Sequence, residues 1–117
     1  MREQIKDKGR LEHILTSIEL LMQDAFSIER GKLTEDRLKY YGIVKSLEII
    51  GEASYMLSPQ FKEAHPETPW REIIALRHVL VHGYFNIQSD EVWNILHSDI
   101  PALRQQVKAY LEALLSM

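Results

Sequence analysis

The chain has 117 residues, of which 45% are apolar and 26% charged, a composition that fits one ordinary globular domain and excludes a disordered segment. The net charge of −3 excludes a whole-molecule field that would gather nucleic acid, so any such site has to be local. Cysteine is absent, which excludes disulfides and thiolate metal sites.

No apolar run approaches the roughly 18 residues that cross a bilayer. The start, "MREQIKDKGR", is charged and lacks an apolar signal core. A single domain over residues 1–117, cytoplasmic and without a membrane partner, is expected. In chain order, Leu11, Ile14, Ile18, Leu21, Ala25 and Ile28 recur every three or four residues and predict a first helix, with Gly31 as its stop signal. Thr34 offers an N-cap, followed by Glu35 and Asp36.

A second helix is predicted through "DRLKYYGIVKSLEIIGEASYML", carrying Leu38, Tyr41, Val44, Leu47 and Ile50 at helical spacing. Gly42 and Gly51 lie inside it. Each weakens a helix by about 1 kcal/mol relative to alanine, so close helix packing is expected to compensate. Ser58-Pro59 ends the run. "PQFKEAHPETP" reads as a short helical turn or loop. Thr68-Pro69 then signals a new start for "WREIIALRHVLVH", which stops at Gly83.

"YFNIQ" predicts a short extended connection, and "SDE" a cap with acidic first-turn residues. The last helical region carries Val92, Leu96, Ile100, Leu103, Val107, Leu111 and Leu114, and Pro101 must kink or divide it. The fold class is therefore all-α: an up-and-down bundle of four long helices with a short extra helical turn.

The chemistry concentrates in "RHVLVHGYF". At 100° per residue from Ile73, Arg77 falls at about 40°, inside the stripe made by Leu80, Trp70, Val81 and Ile74. An arginine cannot shed its proton, so an unpartnered burial would be costly. Three resolutions stand open: snorkelling to an edge, pairing with an acid, or facing a second subunit across a wet cleft. Among acids, Glu52 in "IIGEAS" is the best candidate because it too lies in an apolar run.

His78 and His82 share a helix face at a metal-ligand spacing, with His65, His97 or Glu52 as the third ligand a zinc site would need. Such a pair is also a common structural feature. Arg77 and His82 are about 140° apart on a straight helix, but the helix end at Gly83, or a two-fold axis, would let them converge. Trp70 and Trp93 read as core or interface anchors more than base-stacking platforms. One of Tyr40 and Tyr41 should be buried and the other exposed. Arg37, Lys39 and Lys45 read as a solvated helix face, or as a basic strip beside a cleft.

Arg77, four residues, His82, one residue and Tyr84 match the R-x(4)-H-x-Y motif, and the chain resembles HepT-like toxins of the HEPN superfamily. "YYGIVKSLEIIGEAS", "PWREIIALRHVLVHGYF" and "EVWNILHSDIPAL", in that order, carry the resemblance across nearly the whole chain. One departure is His78, where the family often has asparagine.

The resemblance implies a homodimer with a cleft at its two-fold axis and a metal-independent endoribonuclease acting on RNA, with no cofactor. It assigns Arg77 and His82 to catalysis; His78 and Glu52 are read beside them as supporting residues. It also implies a nucleotidyltransferase antitoxin that transfers AMP to Tyr84. The alternative for Tyr84 is simple packing at the helix end. The alternative for the chain is a non-catalytic helical module that pairs with a nucleotidyltransferase. A metal-dependent hydrolase is a third class, separable by metal content.

Overall fold

A computed structural model describes residues 2–83 and 89–116, with the backbone alone for residues 81–83. The elements are α1 (Arg2–Asp24), α2 (Arg37–Met56), α3 (Pro59–Ala64), α4 (Trp70–Gly83), α5 (Ser89–Asn94), a π-helical segment (Ile95–Asp99) and α6 (Ile100–Leu115). Every described element is helical, as the sequence patterning predicts. The extended connection predicted for "YFNIQ" lies outside the described residues.

α1 buries Leu11, Ile14, Ile18 and Leu21. It stops at Asp24 rather than at Ile28. Ala25 is buried all the same, because its N–H still donates to the Leu21 carbonyl (2.8 Å) before the chain turns. Gly31 then takes a φ of 87°, the left-handed region that glycine enters without cost. The predicted cap at Thr34 is displaced. Asp36 is the N-cap of α2, its carboxylate accepting from the Lys39 N–H (3.1 Å). Aspartate at this position also favours the positive end of the helix dipole.

Ser58 both ends the approach from α2 and caps α3, and Pro59 follows as the first helical residue. Ser58 is tied back to α1: its N–H and its hydroxyl donate to the two oxygens of buried Asp7 (2.8 and 2.7 Å). Thr68 sits where a cap for α4 is predicted, but its hydroxyl is used elsewhere, on Gln106 (2.9 Å) and on the Tyr110 hydroxyl. Pro69 immediately precedes the helix, its carbonyl accepting from the Ile73 N–H (3.1 Å).

α2 packs between α1 and α4, and α1 packs on α6. The core is the continuous set that includes Leu11, Ile14, Ile18, Leu47, Ile50, Leu80, Val92, Leu96 and Val107. The division predicted at Pro101 takes the form of the π-helical segment immediately before it. His97 in that segment lies between Trp93 and Phe26, at ring-centroid distances of 4.1 and 4.3 Å. Trp93 donates its indole N–H to the Ile28 carbonyl (3.1 Å), and Trp70 donates to the His65 carbonyl (3.0 Å). Both tryptophans act as anchors inside the protomer, as their composition-level reading expects. Tyr40 is half-buried and Tyr41 exposed.

Candidate active site

The seam between α2 and α4 is set by Gly51. A Cβ added there would fall 2.2 Å from the Arg77 Cβ and 3.2 Å from its Cα, so only glycine lets the two helices approach this closely. The close packing expected of Gly51 is therefore found. Gly42 has nothing within 4 Å of such a Cβ, and the same expectation fails there. Gly42 is exposed on the opposite half of α2, beside an open groove shared with Leu20, Leu21 and Asp24 of α1.

Lying over Gly51, the Arg77 stem stays inside the apolar stripe while its head reaches the edge. Arg77 Nε donates to Glu52 Oε2 at 2.7 Å. Two of the open resolutions thus hold together: pairing with Glu52, and emergence at an edge, since the Arg77 side chain is 33% exposed. One carboxylate fixes one face of the guanidinium. The remaining N–H groups of its rigid fork stay available to a second oxyanion, which suits bidentate phosphate recognition.

This pair opens into a cleft of about 360 Å3 between α1, α2 and α4, whose charged lining is Arg10, His13, Lys45, Glu48, Glu52 and Arg77. Ile49, Ala53 and Met56 complete it. Lys45 pairs with Glu48 at 3.5 Å. Of the predicted basic strip, Lys45 reaches the cleft, Arg37 is engaged by the Tyr41 hydroxyl, which raises its pKa, and Lys39 is on the exposed face.

Arg10 and His13 were not singled out by the sequence. They flank the buried stripe of α1 and read there as a solvated face. Only tertiary packing brings them beside Arg77, and the one local hint is their spacing of three, which puts them on a common side of the helix.

His78 is exposed near the end of α4. The side chain of His82, and Tyr84 altogether, lie outside the described residues. Of the three candidate third metal ligands only Glu52 lines the cleft: His65 lies against Phe61 and Tyr110, and His97 against Trp93. Among the described residues no three His, Asp or Glu side chains gather as a metal-ligand set. The second polar cluster, around Thr68 and Tyr110, is built into the fold, where burial raises the Tyr110 phenol above its ordinary range.

The sequence that builds this cleft has relatives among known proteins. The chain belongs to the ribonuclease HepT-like family, whose model matches residues 14–110. It is 38% identical over 102 residues to a protein of Caldanaerobacter subterraneus named as a candidate RNase, covering 87% of this chain and 91% of the relative. It is 37% identical over 97 residues to "Probable ribonuclease HepT" of Thermococcus cleftensis, covering 83% of this chain and 88% of the relative. A Methanocaldococcus jannaschii protein, also named as a candidate RNase, is 33% identical over 101 residues, covering 86% and 93%. No solved structure matches the chain. Among the described residues no helix is long and apolar enough to cross a membrane.

Proposed function

We propose that the chain is a metal-independent endoribonuclease and the toxin of a toxin–antitoxin pair, working in the cytoplasm as a homodimer with a cleft at the two-fold axis. The observation that carries this reading is the Arg77–Glu52 pair at the mouth of a cation-lined cleft, in a chain of the ribonuclease HepT-like family. A buried-stem arginine held in one orientation is suited to grip a phosphate and to stabilise the charge that accumulates as the phosphorane forms.

The reaction needs no outside nucleophile. A base takes the proton of the ribose 2′-hydroxyl, the 2′-oxygen bonds to phosphorus, and the bond to the 5′-oxygen breaks. An acid supplies that leaving oxygen with a proton. The products are a 2′,3′-cyclic phosphate and a 5′-hydroxyl. His82 is the proton-transfer residue, and two copies across the dimer supply both acid and base. Glu52 is a positioning residue acting through Arg77, and His78 supports the same helix end. Exposed apolar side chains at Val79 on α4 and at Leu38 and Tyr41 on α2 favour a covering second copy.

Neutralisation falls to a nucleotidyltransferase antitoxin. It transfers AMP from ATP to the Tyr84 hydroxyl and releases pyrophosphate. The new phosphodiester would then compete with RNA for Arg77.

The test is cleavage of RNA by the dimer in the presence of EDTA. Activity should persist with EDTA, fall by about 10²–10⁴-fold in His82→Ala, and be lost in Arg77→Ala when both variants fold. Undiminished cleavage by both folded variants overturns the assignment. Intact mass after incubation with the partner and ATP should rise by AMP on the parent and not on Tyr84→Phe.

A further inference from the structure

We infer that Arg10 and His13 of α1 form a second phosphate-binding subsite, which holds the phosphodiester of single-stranded RNA next to the one gripped by Arg77. The inference rests on the ribonuclease reading above and adds a binding surface to it.

The charges of the cleft divide unevenly. Glu52 is taken by Arg77 and Glu48 by Lys45, at 2.7 and 3.5 Å. Each acid in the lining thus has its own cation. Among the described residues Arg10 and His13 make no ion pair, although both line the same cleft. On a molecule of net charge −3 this is a local excess of unneutralised donors facing a concave space.

The space is too large for one phosphate alone. At about 30 Å3 per water, its 360 Å3 correspond to roughly a dozen waters. Its wall is not uniformly polar either: Ile49, Ala53 and Met56 offer an apolar floor, and Met56 is 48% exposed. Basic side chains from α1 and α4 sharing a cleft with apolar side chains of α2 suit a nucleotide, with phosphates on the basic groups and the ribose or base on the apolar ones. A bare anion would leave the floor without a use. The rigid placement of α1 against α2, fixed by the core under Leu11 and Ile14, holds Arg10 and His13 at a constant offset from Arg77.

Two measurements test this on the dimeric protein, using a single-stranded oligoribonucleotide for cleavage and its 2′-O-methyl counterpart for binding. Removing a phosphate contact lowers the slope of log affinity against log salt by about 0.7 for a single strand. Because the subsite holds one phosphate, the Arg10→Ala, His13→Gln double variant should lower it by about that amount, Arg10→Ala alone by most of it, and His13→Gln alone by less. Arg10→Lys should restore the parent slope. In cleavage, KM should rise by about tenfold in Arg10→Ala, the loss of one charged hydrogen bond, with kcat unchanged because Arg77 is untouched.

Lys108→Ala, an exposed cation on α6 outside the cleft, should match the parent. A parent that neither binds nor cleaves RNA overturns the ribonuclease reading and this subsite with it. A parent that cleaves while the α1 variants keep its slope and KM overturns the subsite alone. An equal loss in Lys108→Ala overturns it too, because the effect would then be one of overall charge.

Discussion

Gly42 and Gly51 interrupt the same helix, yet the two halves of α2 around them are unlike. At Gly51 the helix is pressed against α4 so closely that a single methyl group would strike the Arg77 side chain and backbone. At Gly42 nothing stands within 4 Å, and the neighbouring Leu38 is 84% exposed. Glycine in a helix therefore marks close approach only where another backbone arrives. In one half the missing side chain creates the seat of Arg77, and in the other it leaves an open surface within the protomer.

Alanine substitutions should break this pairing of glycines in opposite directions. Gly51→Ala forces α2 and α4 apart, an overpacking cost of about 3 kcal/mol, seen as a Tm lowered by roughly 10 °C. It should also displace Arg77, so RNA cleavage should fall even in the protein that remains folded. Gly42→Ala removes the entropic handicap with no clash and should raise stability by about 0.5–1 kcal/mol in denaturant unfolding. If sedimentation shows the same variant assembling less well while its protomer is more stable, the open half of α2 is where copies meet.

Two smaller effects sharpen the contrast. Glu52→Gln should cost only about 0.5 kcal/mol, because the ion pair is partly solvated. RNA cleavage should nonetheless fall, since the guanidinium loses its brace, and Glu52→Asp should recover part of the activity. Leu38→Ser should leave protomer unfolding within about 0.5 kcal/mol of the parent. Its measurable consequence is confined to assembly.

The α2–α4 seam was legible in the sequence because its residues broke a pattern. Arg77 and Glu52 are charges placed in apolar runs, and Gly51 sits beside one of them. Such violations have few physical resolutions, and pairing is one. Helix existence was legible for the same reason in reverse, from unbroken apolar spacing.

Helix ends were less so: Thr34 and Asp36 are both good caps, and the choice between them depends on where the turn at Gly31 delivers the chain. The Thr68 hydroxyl obeys partners on α6 that no local rule reveals. Arg10 and His13 obey the local rule for a solvated helix face and reach Arg77 only through packing. His82 and Tyr84 were legible as a motif, from their spacing behind Arg77 alone.

The π-helical segment has a consequence for the gene as well as the fold. Val92, Leu96 and Ile100 are buried at steps of four residues. In a regular α-helix each such step overshoots a full turn by about 40°. The wider turn over Ile95–Asp99 takes up that excess, because π-type bonding spans one more residue per turn than α-type. Deleting one codon there would leave seven regular steps between Val92 and Ile100, about 700° or 20° short of two full turns, so the helix would become wholly α-helical with both residues still facing the core. The stretch therefore holds one residue more than a regular helix needs. The segment absorbs that residue, as a phase correction between two stretches of helix that must face the same core.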